Sequence, residues 1–278
     1  MAPASQPGVL WVSSMVARPE RLSNEDFNDW YLNVHVDQVV ATGGVPSAAR
    51  YEAVPILPSD AERPTWAMEA TWLTIYELPS LAHRYSPAFT NLDGQSKPDP
   101  TLLDRIFRNA KFETRFYEHI ETHEAPHAHP GPGTLVISAA LTPAKGQDDD
   151  FNRWYHDEHM AEVGKVKGYL RTRRYCQIVA TDPDFKPART TTGNEGCTGP
   201  EATILDCYER RQNERAPAYL ALHEFDAGEF DMEGLAKADE TEWSKRIVPT
   251  LEVMQAGFFR LIRPYGQFAE GSTSSSKL

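Results

Sequence analysis

One nine-residue stretch of this chain recurs with five of its nine residues unchanged. Phe27-Asn28-Asp29-Trp30-Tyr31-Leu32-Asn33-Val34-His35 returns 124 residues later as Phe151-Asn152-Arg153-Trp154-Tyr155-His156-Asp157-Glu158-His159, with Phe, Asn, Trp, Tyr and His at the same offsets. Fifteen residues beyond each His stands an Arg-Tyr pair, Arg50-Tyr51 and Arg174-Tyr175, again 124 apart. Upstream, the segment from Gly8 to Ser13 parallels that from Gly133 to Ser138. A repeat of this length sets the architecture before any local reading, and the chain reads as a tandem duplication.

Hydrophobic periodicity assigns the elements. Val9 to Val16 is apolar and β-branched enough for a buried strand. Ser23 is a helix N-cap followed by acidic residues, and the helix runs to about Thr42, stopping at Gly43-Gly44. Phe27, Trp30, Tyr31, Val34 and Gln38 form its stripe at three- and four-residue steps. Strands follow at Ala48 to Pro55 and Trp66 to Leu78, then a broken helical region over Ser80 to Asn109 and a strand over Phe112 to Ile120. The second half repeats this order: strand Thr134 to Leu141, helix Asp148 to Val166 closed by Gly168, strand Leu170 to Val179, a strand at Tyr219 to Glu224 that aligns with Trp72 to Glu77, helix Met232 to Ile247, and strand Val253 to Ile262. Asp182 to Pro200 is a polar insertion peculiar to this half, either a lid or a surface loop. The boundaries drawn from this are a first repeat at 1–121, a linker at 122–132, a second repeat at 133–266 and a flexible tail at 267–278.

Each half is thus expected to be a ferredoxin-like βαββαβ unit of α+β class. Such a sheet carries helices on one face and leaves the other bare. Two bare faces bury each other as an eight-stranded, pseudo-dimeric α/β barrel jacketed by helices, so a monomer suffices to close it. With the F-x-x-W-Y-x-x-x-H helix and the R-Y strand, the chain resembles the dimeric α/β-barrel superfamily, most closely its EthD-like branch, as two fused copies. That superfamily holds polyketide cyclases, small decarboxylases, lactone isomerases, cofactor-free monooxygenases and haem enzymes. The resemblance implies a pocket for a small molecule.

Tyr31 with His35 and Tyr155 with His159 stand four apart on one helix, within mutual reach. An imidazole beside a phenol suits proton transfer on a phenolic or β-keto substrate; it equally suits a structural hydrogen-bond network. The second copy carries His156, Asp157 and Glu158 before His159, and a nearby carboxylate can orient and charge an imidazole, so His159 is expected to matter more than His35. Arg50 and Arg174 either clamp a substrate carboxylate or enolate, or pair with a helix carboxylate such as Asp37, Glu158 or Glu162. Trp30 and Trp154 either fill core or stack a substrate. Tyr76 and His223, aligned on the third strand of each half, are further substrate-binding candidates, with Glu77 and Glu224 pointing to the opposite face.

Several functions are excluded as expectations. Net charge is −12 with no basic run, which argues against nucleic acid and membrane partners. The sequence holds no phosphate loop, zinc signature or serine elbow, so no cofactor and no metal is expected; His119, His123, His127 and His129 lie close together but without helical periodicity. Cys176, Cys197 and Cys207 are odd in number and fit a reducing compartment. Ser276-Lys277-Leu278 is the tripeptide read by the peroxisomal import receptor, giving a peroxisomal expectation and a cytoplasmic one otherwise. The expected function is a cofactor-independent lyase or cyclase of secondary metabolism, acting by His/Tyr acid–base chemistry on a polyketide-like or aromatic oxygenated metabolite. A cofactor-free monooxygenase and a non-catalytic small-molecule binder are the alternatives.

Overall fold

The computed structural model describes residues 6–55, 70–92, 99–178 and 216–273. The insertion at 182–200, residues 66–69 of the third expected strand, Cys197, Cys207 and the Ser276-Lys277-Leu278 terminus lie outside them.

Among the described residues eight strands close into one antiparallel barrel in the order β1-β3-β2-β8-β5-β7-β6-β4. They are β1 (Gly8–Val16), β2 (Ser47–Ala53), β3 (Trp72–Leu78), β4 (Ala110–Glu124), β5 (Leu135–Thr142), β6 (Tyr169–Gln177), β7 (Tyr219–Phe225) and β8 (Val253–Gly266). Two seams, β2 with β8 and β4 with β6, join the first four strands to the last four. Closure within one chain removes every sheet edge.

Pairing proceeds alike on both sides of the seams. Arg50 stands opposite Thr74, and Arg174 opposite Ala221. Leu10 stands opposite Tyr76, and Ile137 opposite His223. On this register Leu10 corresponds to Ile137, whereas matching Gly8 with Gly133 set it against Leu135. The difference is two residues, which keeps every side chain on its face and so leaves the hydrophobic pattern unchanged.

Strand alternation sorts the residues into layers. Val9, Trp11, Tyr51, Leu73, Ile75, Tyr117, Tyr175, Leu222 and Phe259 fill the barrel. Glu77 and Glu224 also turn inward, to Arg173. The opposite faces meet helices: Leu10, Val12, Trp72 and Tyr76 pack on Phe27, Trp30 and Tyr31, and Leu141 and Ala221 pack on Phe151, Trp154 and Tyr155.

The first helix keeps its expected caps. Ser23 accepts from the Asp26 N–H at 3.0 Å, and Gly43 adopts a positive φ just past the first helix; the second helix ends at Val163 with Gly164 as its cap, short of the expected Val166, and Gly168 with its positive φ stands in the turn before β6. Boundaries differ elsewhere. β4 runs to Glu124, because Glu121 to Glu124 pair with Arg174 to Arg171, so the start of the expected linker is strand. Residues Gln267–Thr273 are helical where a flexible tail was expected. The expected helix Met232 to Ile247 breaks into Met232–Ala238 and Glu242–Ile247, since Thr241 caps a new start on Ser244.

Candidate functional site

Both copies of the repeated helix change pitch at the same place. The first is α-helical over Asn24–Trp30, π-helical over Tyr31–His35 and α-helical again over Val36–Val40; the second runs Asp148–Trp154, Tyr155–His159 and Met160–Val163. The Val36 N–H donates to the Tyr31 carbonyl, and Met160 to Tyr155, the five-residue step of a π turn. Such turns are rare and concentrate at functional sites. The wider turn stacks residues five apart, so Trp30 lies flat on His35 with ring centres 4.9 Å apart, and Trp154 on His159 at 4.3 Å. Tyr31 and Tyr155 meet the same imidazoles edge-on at 5.1 and 5.0 Å.

On the sheet side each phenol carries a guanidinium. Arg50 lies 3.6 Å from the centre of the Tyr31 ring, and Arg174 lies 4.2 Å from that of Tyr155. The candidate residues therefore gather between helix and sheet, one group in each half, and outside the barrel. Tyr76 joins the first, its hydroxyl donating to the Tyr31 oxygen at 3.3 Å. His223 joins the second, 5.9 Å from His159, with its Nδ1 on Thr172 at 2.9 Å. Trp30 and Trp154 are core residues that also face the imidazoles.

Burial fixes the protonation states. Desolvation, with the Arg50 charge, lowers His35 to about 4. Desolvation, then His223 and Arg174, lowers His159 to about 3, and desolvation with Arg174 lowers His223 to about 4. All three are neutral at physiological pH and act there as hydrogen-bond partners or proton acceptors. Desolvation raises the Tyr155 and Tyr76 phenols, which stay protonated. The Nδ1 atoms of His35 and His159 are buried without a hydrogen-bond partner; the nearest acid to the latter is Asp239, at 3.8 Å.

Two sequence expectations need correction. The carboxylates beside His159 do not charge it: Glu158 accepts from the Thr241 hydroxyl at 2.6 Å, and His156 turns outward to Glu121 at 2.7 Å. The three side chains leave the helix in different directions, so their density in sequence is not density in space. Neither arginine pairs with a helix acid. Arg174 pairs with Glu121 of β4 and donates to Asn152 at 2.7 Å. Arg50 has no carboxylate partner among the described residues; it donates to Thr74 at 2.8 Å, Asn28 at 3.3 and 3.4 Å, and Ser14 at 3.4 Å.

The histidines near the expected linker disperse. His119 meets Thr122, His123 meets Tyr169, and His129 meets Asp226. Among the described residues no three His, Cys, Asp or Glu side chains converge on a metal position. Sequence reasoning missed Glu121 and Asn152 around Arg174, and Asn28, Ser14 and Thr74 around Arg50. The two asparagines recur at one offset of the repeat and were the available signal.

No family model matches the chain. It is 26% identical over 223 residues to core atranone cluster (CAC) protein 1 of Stachybotrys chlorohalonatus, covering 80% of this chain and 83% of that one. Among solved structures, it is similar to a candidate chlorite dismutase (TM-score 0.52, 9% identity, 96% and 99% of the two chains covered). It is also similar to an anthrone oxidase-like protein (0.50, 10%, 95% and 94%) and to a candidate monooxygenase of Fusobacterium nucleatum subsp. nucleatum (0.50, 9%, 95% and 96%). These neighbours are dimeric α/β-barrel proteins, and the closed eight-stranded antiparallel barrel seen here is of that mixed α/β kind.

Proposed function

We propose that this chain is a cofactor-independent enzyme that moves a proton on a small polyketide-like or aromatic oxygenated metabolite, leading to cyclisation, dehydration or decarboxylation. One observation carries the reading: in each half a tyrosine ring lies between a guanidinium and a neutral imidazole, at 3.6 and 5.1 Å for Tyr31 and at 4.2 and 5.0 Å for Tyr155. The Stachybotrys relative, named for the atranone cluster, supports a small-molecule role in secondary metabolism.

The chemistry follows from the groups present. A neutral imidazole nitrogen takes the acidic proton from a carbon beside a carbonyl. The electron pair stays on the substrate as an enolate, whose oxygen the guanidinium and a protonated phenol stabilise. The imidazolium then returns its proton to the product. Burial chiefly, and the Arg50 charge after it, make His35 a weak base; an anion bound at Arg50 offsets the second of these and strengthens the base in part.

In the same reading the chain is two fused ferredoxin-like βαββαβ copies of the EthD-like branch. The register common to both sets of four strands supports it. Its Ser276-Lys277-Leu278 terminus engages the peroxisomal import receptor.

Incubation of the protein with a linear triketone and with anthrone in D₂O tests the activity, with deuterium exchange and oxygen uptake followed together. Exchange that falls about 10²–10⁴-fold when His35 and His159 are both changed to Gln is the expected result. Oxygen uptake coupled to exchange would assign the same carbanion to a cofactor-free monooxygenase. Binding without exchange would make the protein a carrier.

A further inference from the structure

The two halves differ at one matched position on their seams. Where β6 meets β4, Arg174 stands opposite Glu121, next to a bulge that leaves Ile120 exposed. Where β2 meets β8, Arg50 stands opposite Arg263, next to a bulge that leaves Ile262 exposed. Across the seams, then, β4 of the first half brings Arg174 a carboxylate, whereas β8 of the second half brings Arg50 another cation. Arg263 leans over the π turn, donating to the Leu32 carbonyl at 3.2 Å and to Asn33 at 2.8 Å.

Arg50 is 0% exposed, and a buried charge without a counterion is costly unless something else compensates it. Its partners are neutral, and three of its four hydrogen bonds are 3.3 Å or longer. Those long bonds are the ones a better acceptor displaces. Phe27, Tyr31 and Trp72 surround it with rings at 5.8, 3.6 and 5.4 Å, so an apolar ring seated on the guanidinium would have aromatic neighbours. The His35 imidazole meets the same phenol edge-on, its buried Nδ1 has no hydrogen-bond partner, and the residue is half-buried where His159 is buried.

We infer that the first half holds an anion site for a carboxylate or acidic enol borne on an apolar ring, and that Glu121 occupies the corresponding position of the second half from within. The inference rests on the small-molecule reading above and names its substrate class: an acidic aromatic or enolised polyketide, taken up by the half that lacks an internal acid. The Arg174 group then serves the fold, and His35 rather than His159 faces the substrate.

Calorimetric titration with 1-hydroxy-2-naphthoate and with its uncharged amide tests this. The wild-type protein should bind one equivalent of the acid, and the amide at least about tenfold more weakly, the size of one charge-assisted hydrogen bond. Arg50→Gln should abolish the preference and Arg50→Lys should restore part of it, which separates charge recognition from a folding defect. Glu121→Gln should admit a second equivalent of acid. Equal affinity for acid and amide would overturn the anion site and leave the enzyme reading standing. A second equivalent that never appears would overturn the role given to Glu121. Failure of both probes to bind, together with no exchange of the triketone, would remove both inference and reading.

Discussion

Arg50 and Arg174 make the most quantitative case, because one substitution at the two positions should have opposite consequences for stability. Burying an ion costs several kcal/mol after relaxation. Arg50 recovers about 0.5–1.5 kcal/mol per neutral hydrogen bond, less for the long ones, and up to about 2 kcal/mol from its ring stack. The balance is close to zero, so Arg50→Met should leave stability within about 1 kcal/mol of wild type or raise it. Arg174→Met strands Glu121. Breaking a buried pair costs about 3–5 kcal/mol, and the figure is reduced to about 2–3 kcal/mol here because the Glu121 side chain is 20% exposed and keeps His156. At about 2–4 °C per kcal/mol for a chain of this size, the two variants should melt about 5–10 °C apart, Arg50→Met the higher. Thermal melts by circular dichroism at pH 7.5 read this directly. An Arg50→Met variant that loses as much as Arg174→Met would refute the assignment of Arg50 to binding, since the guanidinium would then be holding the fold.

Further outcomes follow from the same structure. His35, His159 and His223 are neutral when folded but take a proton below about 6.5 when unfolded, so the stability they contribute is present above pH 6.5 and is lost as pH falls toward 4, by at most about 2 kcal/mol each at pH 5; urea midpoints of wild type and His159→Gln between pH 7.5 and 5 should show a flatter slope for the variant. The acid limb of kcat/KM for triketone exchange, which reports the free enzyme, should lie near pH 4; a limb near 6.5 would mean that a solvated imidazole does the work. Residues 1–126 and 127–278 expressed apart should be insoluble or bind each other, because each would expose the two seam strands; two soluble monomers on gel filtration would contradict the barrel. A fluorescent protein fused at the N-terminus should colocalise with a peroxisomal marker and become diffuse when the last three residues are removed; unchanged distribution would refute the targeting role.

Much of the layering was legible in the sequence because it depends on local period. Ser23 and Gly43 announce the start and end of the first helix, and strand alternation separates Tyr76 from Glu77 and His223 from Glu224. Less visible was anything fixed by long-range register. The π turns at Tyr31 and Tyr155 add one residue to a helical turn, so beyond Tyr31 the buried positions are Val36 and Val39, while Val34 and Gln38 of the expected stripe are exposed; the Trp-His stacks five residues apart were hidden behind the Tyr-His pairs four apart. The difference between Glu121 and Arg263 appears only once two bulges set which residues face Arg174 and Arg50 across the seams. Thr122 to Glu124 read as linker because they open a stretch of His, Pro, Gly and Glu without periodicity; pairing with β6 makes them strand despite that composition.

The central claim, that the working site lies between helix and sheet in the first half, is tested most directly by a crystal structure with 1-hydroxy-2-naphthoate bound. The carboxylate should lie on the Arg50 guanidinium at about 2.8 Å, the length of a charge-assisted hydrogen bond, with the ring among Phe27, Tyr31 and Trp72. A ligand found inside the barrel, in the small cavity lined by Trp11, the buried Arg115 and Ser138, or against Arg174 in the second half, would contradict it.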